Sequence, residues 1–110
     1  MIGIRSVAAD YDLQEVGVLE AGWCYDWAEI HIWVKNGRLY WYSDSGCSCT
    51  SFGDEVVSLA DLETGGRQAC CWAIDAFVRE YRGDEGITSK SGADLKAAVF
   101  DSLNASKTRN

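Results

Sequence analysis

Between Trp27 and Tyr42 the chain alternates with a period of two. Trp27-Ala28-Glu29-Ile30-His31-Ile32-Trp33-Val34 is followed by Lys35-Asn36-Gly37-Arg38 and then by Leu39-Tyr40-Trp41-Tyr42. Two runs rich in aromatic and β-branched residues around Asn-Gly predict a β-hairpin, because Asn and Gly accept the positive φ angles of a two-residue type I′ turn. Such a turn also sets the register. Lys35 faces Arg38, so Val34 faces Leu39, Ile32 faces Trp41 and Ile30 faces Ser43. One face of the hairpin is then aliphatic, with Ala28 on it. The other carries Trp33 against Tyr40 and His31 against Tyr42, with Glu29 and Trp27 further along.

Leu13 to Ala21 predicts a third strand, and Gly22 to Asp26 a turn leading into the hairpin. Residues 1–12 lack clear periodicity. From Arg67 to Arg82 the pattern changes to 3.6: Cys70, Ala73, Ile74, Phe77, Val78 and Tyr81 form one stripe, with Gly65-Gly66 before it and Gly83 placed to end it. A second helix is expected from about Gly92 to Asn104, with Leu95, Ala98, Val99 and Leu103 inward and Ser91 and Asp94 imitating a capping box. Asp54 to Leu62 predicts one short helical turn. The fold class expected is α+β in a single domain of 110 residues: a three-stranded antiparallel meander with two C-terminal helices packed on its aliphatic face. Two helices cover one sheet face. The aromatic face is therefore either an exposed interaction surface or a second core, covered by the N-terminal residues or the 50–66 loop.

Composition narrows the function classes. Apolar residues make up 47%, with five Trp, five Tyr and three Phe, enough for a packed core. No run approaches a membrane span, and no charged start leads into an apolar signal run, so the expectation is a chain that stays where it is made. The net charge of −7 argues against general nucleic-acid binding, which requires cations to displace counterions. The acidity is concentrated: residues 1–66 hold eleven acids against three bases, and residues 67–110 six against seven. An acidic surface of this kind suits either a basic partner or plain solubility.

Five cysteines are the other candidate chemistry. Continuing the hairpin register outward sets Asp26 opposite Cys47 and Cys24 opposite Cys49, and Cys70 points to the same aliphatic side. Cys24, Cys47, Cys49 and Cys70 could be small buried hydrophobes, a zinc site, or, for Cys24 and Cys49, a cross-strand disulfide. For zinc, Cys47-Ser48-Cys49 is tighter than the usual Cys-x2–4-Cys pair. His31, the only histidine, lies on the opposite face from these thiols, which argues against a Cys-His nucleophile. No Gly-rich phosphate loop, His-Glu-x-x-His or Gly-x-Ser-x-Gly is present. A small-molecule site built on Glu29, His31 and Tyr42 would need a deep pocket beside His31.

The segment Tyr42-Ser43-Asp44-Ser45-Gly46-Cys47-Ser48-Cys49, with Phe52 and then Ser58-Leu59-Ala60-Asp61-Leu62, resembles a family of small uncharacterised proteins encoded by phages of actinobacteria. The resemblance covers about residues 11–63. Thr50-Ser51-Phe52-Gly53 stands where that family has Pro and Phe-Glu. It implies a phage product working in the cytoplasm of a bacterial host. Combined with the acidic meander and the aromatic face, the expectation is an accessory protein without catalytic activity. It would bind a host protein or a second copy of itself through Trp27, Glu29, His31, Trp33, Tyr40 and Tyr42, with no membrane and no cofactor. The alternative is a zinc- or thiol-dependent protein using the four cysteines.

Overall fold

The computed structural model describes residues 3–23, 26–81 and 87–108. The meander has four strands, not three: β1 (Gln14–Trp23), β2 (Asp26–Lys35), β3 (Arg38–Cys47) and β4 (Glu63–Gly65), antiparallel and in sequence order across the sheet. β4 is only three residues long, pairing Leu39, Tyr40 and Trp41 with Gly65, Thr64 and Glu63. So short a strand leaves no alternation for a sequence pattern to show. Cys24 and the expected helix end at Arg82 and Gly83 lie outside the described residues.

The hairpin register is the one the Asn-Gly turn dictates, unbroken from Lys35↔Arg38 to Asp26↔Cys47. Asn36 and Gly37 hold φ of 52° and 79°, as a type I′ turn requires. β1 extends to Trp23, further than expected, and has one irregularity between Glu15 and Gly17.

The C-terminal helices are α2 (Arg67–Tyr81) and α3 (Ser89–Thr108). α3 starts three residues before the expected Gly92. Thr88 caps it: the Ser91 backbone N–H donates to Thr88 Oγ1 (3.1 Å) and the Thr88 N–H to Ser91 Oγ (2.9 Å). Ser91 thus occupies the third position of the box rather than the first, and Asp94 pairs instead with Lys90.

As expected, both helices pack on the aliphatic face, α3 on β1 and β2, α2 on β3 and β4. The core between them contains Leu19, Ala28, Ile30, Ile32, Val34, Leu39 and Trp41 from the sheet. Cys70, Ile74, Phe77, Leu95, Val99 and Leu103 come from the helices. Close approach depends on two glycines: a Cβ on Gly17 would meet Leu95 Cδ1 at 2.6 Å, and one on Gly92 would meet Val78 Cγ2 at 2.8 Å.

The opposite face is covered too. Residues 4–10 form a helix, α1 (Ile4–Asp10), where no periodicity predicted one. The 50–62 segment, with a 3-10 turn at Leu59–Asp61 inside the expected 54–62 stretch, lies beside it. Ile4, Val7, Trp33, Val56 and Leu62 are buried there, with Leu13, Tyr40, Tyr42, Phe52 and Leu59 packed against them. The aromatic face is thus in part a second core: Trp33 of β2 is buried there, while Trp27, Glu29 and His31 stay half-buried.

Gly53 joins the two covering segments. Its φ is +72°, its N–H donates to Asp44 Oδ2 (3.0 Å), and its carbonyl accepts from Ile4 N (3.2 Å) and Val56 N (3.0 Å). A Cβ there would stand 2.5 Å from Ile4 Cβ. Gly53→Ala therefore meets both an unfavourable φ and a collision. We expect it to lower unfolding stability by roughly 1–3 kcal/mol and to expose the 3–12 segment to protease. Gly66→Ala, with nothing within 4 Å of the added atom, should stay within about 0.5 kcal/mol of wild type. Equal urea midpoints for the two variants would refute this role for Gly53.

Candidate functional site

The second core does not close completely. A groove of about 890 Å³ remains where α1 and the 50–54 segment meet β1 and β2, lined among others by Glu15, Glu20, Trp27, Glu29, His31, Trp33, Phe52 and Asp54. Antiparallel pairing explains why these side chains share a face. His31 stands beside Val18 and Tyr42, and Glu29 beside Glu20 and Asp44. Glu15 pairs with Trp33, and Glu20 with Glu29, although Glu15 and Glu20 are five residues apart on one strand. An odd spacing puts two residues on opposite faces of a regular strand; the β1 irregularity at Val16 restores both to the groove side.

Phe52 is the hub of the aromatic packing. Its ring stacks on His31 (centroids 3.9 Å, interplanar 16°) and meets Trp27 and Tyr42 edge-on at 6.4 and 5.7 Å. His31 stacks on Trp33 as well, at 5.8 Å. The imidazole edge faces two carboxylates: Nε2 lies 2.7 Å from Glu29 Oε1, and Nδ1 lies 4.0 Å from Glu15 Oε1. An ionised carboxylate only accepts, so Nε2–H donates to Glu29. The ring is thus fixed by stacking on both Phe52 and Trp33 and by its Nε2 contact to Glu29, and it lines the groove.

Glu20, Glu29 and Asp44 form a row of carboxylates across three adjacent strands. Like charges directly opposite each other in a sheet are destabilising. The row is partly relieved within the fold: His31 serves Glu29, while the N–H groups of Ser45 (2.9 Å) and Gly53 (3.0 Å) serve Asp44. Tyr42 reports the same negative field. Burial, and then the carboxylates of Asp44, Glu55 and Asp61, push its phenol above its ordinary value.

Of the six residues expected to bind a partner, Trp27, Glu29, His31 and Trp33 line the groove, and Trp33 is buried behind it. Tyr40 and Tyr42 pack under the covering segments and are not part of that lining. The Glu29, His31, Tyr42 group therefore does not converge on the groove. Glu15, Glu20 and Asp54 were not singled out from the sequence. The strand irregularity hid the first two, and the third depends on how the loop folds back.

Cys70 does not join Cys47 and Cys49. Cys70 is fully buried in the helix-side core, Cys47 is half-buried and Cys49 is exposed in the turn after β3 ends. Among the described residues no three metal-ligating side chains come together, and Cys24 is outside them. Trp27 Nε1–H donates to the carbonyls of Cys47 (2.9 Å) and Thr50 (3.2 Å), which fixes that turn against the end of the groove.

Comparison with known proteins adds the family. The model of a domain family of unknown function, DUF7574, matches residues 3–107, and the chain belongs to that family. No curated protein and no solved structure matches the chain. No described helix is long and apolar enough to cross a membrane.

Burial, and then the neighbouring Cys71, push the Cys70 thiol up to about 12. An unfolded chain loses this proton near the ordinary thiol value of about 8.5, whereas the folded protein keeps it. The stabilisation is fully present below that value and is lost as pH rises toward 12. Urea midpoints measured between about pH 7.5 and 10.5 should fall more steeply for wild type than for Cys70→Ala. Parallel declines would show that Cys70 ionises without opposing the fold.

Proposed function

We propose that this is a binding protein, a small phage-encoded accessory protein that acts inside a bacterial host by holding a partner protein. Its binding site is the groove between α1, the 50–54 segment and the β1–β2 face. The observation carrying this reading is the lining itself: carboxylates of Glu15, Glu20, Glu29 and Asp54 beside the rings of Trp27 and Phe52. A Lys or Arg side chain from a partner relieves the carboxylate repulsion and finds aromatic faces on which to lie. The resemblance of the 42–62 segment to actinobacterial phage proteins supports the host setting.

The helix side offers a rival surface, since Trp72 and Phe100 are exposed there, with Arg67 4.3 Å above the Phe100 ring. A second copy of the chain docking on that side would make self-association the function. Two variants separate the readings. Glu15→Lys/Glu20→Lys reverses two exposed groove charges, and Trp72→Ala removes the helix-side ring.

With the protein immobilised in lysate of an actinobacterial host, the groove variant should lose roughly tenfold or more of the captured partner. Trp72→Ala should retain it, and rising salt should weaken capture by wild type. Capture lost only with Trp72→Ala, or a dimer in native mass spectra that only Trp72→Ala dissociates, would overturn the groove as the site.

A further inference from the structure

The turn after β3 holds a second, separate piece of chemistry, which does not depend on the groove reading. Cys47 and Cys49 flank Ser48 in a turn closed by Thr50 N–H donating to the Cys47 carbonyl (3.0 Å). That carbonyl also accepts from Trp27 Nε1 (2.9 Å) and Thr50 Oγ1 (3.2 Å), so three donors hold one atom. Gly46, just before it, has no room for a side chain: an added Cβ would collide with Thr50 Oγ1 and stand 2.9 Å from the Trp27 ring. The turn is therefore clamped rather than loose. A disulfide accepts Cα atoms about 4.4–6.8 Å apart. Residues two apart in a fully extended strand sit at the long edge of that window, at roughly twice the ~3.3 Å rise. A turn draws them inward.

Hydrogen bonding from the Cys49 side chain, and then from the Cys49 backbone, holds the Cys47 thiol below the ordinary thiol range, against burial and the charge of Asp26. Cys49, as the donor of the pair, is held above that range. The asymmetry resembles that of a dithiol in which one sulfur attacks and the other resolves. Cys49 is exposed and Cys47 half-buried. Cys70, in the core, is kept protonated and out of reach of solvent.

We propose that Cys47 and Cys49 form a reversible dithiol–disulfide site whose co-substrate is a low-molecular-weight disulfide of the glutathione type. The Cys47 thiolate attacks one sulfur of the small disulfide, forming a mixed disulfide and releasing one small thiolate. Cys49, giving up its proton, attacks Cys47 Sγ, closes the Cys47–Cys49 bond and releases the second small thiolate. Two protein thiols are oxidised and one small disulfide is reduced to two thiols; excess small thiol reverses both steps.

The test uses full-length protein equilibrated with oxidised and reduced glutathione, acid-quenched, alkylated and digested with trypsin. Cleavage at Arg38 and Arg67 isolates Cys47 and Cys49 in one peptide, 39–67, away from Cys24 and from Cys70 and Cys71. The expected product is peptide 39–67 lighter by two hydrogens and unalkylated, reverting as the reduced fraction rises. Cys49→Ser should trap glutathione on Cys47, and do so roughly tenfold faster than Cys47→Ser acquires it on Cys49.

Three results would overturn the proposal: peptide 39–67 alkylated at both sites in every buffer, the same peptide joined to the one carrying Cys24, or equal rates in the two serine variants. Near-ultraviolet circular dichroism shows whether each variant keeps the Trp27-clamped turn. The wild-type peptide map decides the pairing even if one does not.

Discussion

The two-residue turn at Asn36–Gly37 is the constraint from which the rest of the structure follows. Its left-handed φ values permit only one register between β2 and β3, and that register runs ten pairs without a break. A slip of one residue would turn Ile30, Ile32 and Val34 toward the groove and put Glu29 and His31 under the helices. That would bury a carboxylate and an imidazole among Ile74, Phe77 and Val99, at a cost of several kcal/mol for unpaired charge. The turn and the two cores therefore specify the same alignment, and each makes the other's alternatives unfavourable.

β2 is the strand on which both layers depend. Its even-numbered residues carry the helix-side core and its odd-numbered residues the second core and the groove. The covering layer is thin. α1 is seven residues long, shorter than an isolated helix can sustain, so packing and anchors hold it in place. Ile4 N–H is tied to Gly53, and Lys35 Nζ donates to the Tyr11 carbonyl just after the helix (2.6 Å). A thin layer over a wide sheet leaves a gap, and the gap is the groove. Glu20 and Glu29 of the acidic row lie in that gap with Glu15 and Asp54, which gives binding of a cation something to gain. The Trp27 indole joins the groove to the Cys47–Cys49 turn, since one ring lines the first and clamps the second.

What was legible followed from local pattern. The hairpin, its register and the α2 stripe were readable because each repeats a period over ten residues or more, and the parity of β2 correctly separated the aliphatic residues from Trp27, Glu29, His31 and Trp33. β4 was not legible, being three residues long, and neither was α1, whose seven residues show no clean stripe. The Ser91 and Asp94 pair misplaced the cap of α3: Thr88 is an equally good cap one turn earlier, Ser91 serves as its partner, and Asp94 pairs with Lys90. Phe52 stood out only as part of a motif, since nothing in a loop sequence says which ring a Phe will stack on.

By itself the sequence determined the α+β class, the handedness and register of the central hairpin, and the side of the sheet that receives the helices. These depend on backbone geometry at Asn-Gly and on periodicity, which act over a few residues. Only tertiary structure decided that the aromatic face is partly covered, that Glu15 and Glu20 share a groove, and that Cys70 is remote from Cys47 and Cys49. Those outcomes depend on one extra residue in β1 and on where the 50–62 segment folds back. Both are settled by long-range packing, where burial of Trp33, Val56 and Leu62 outweighs local preference.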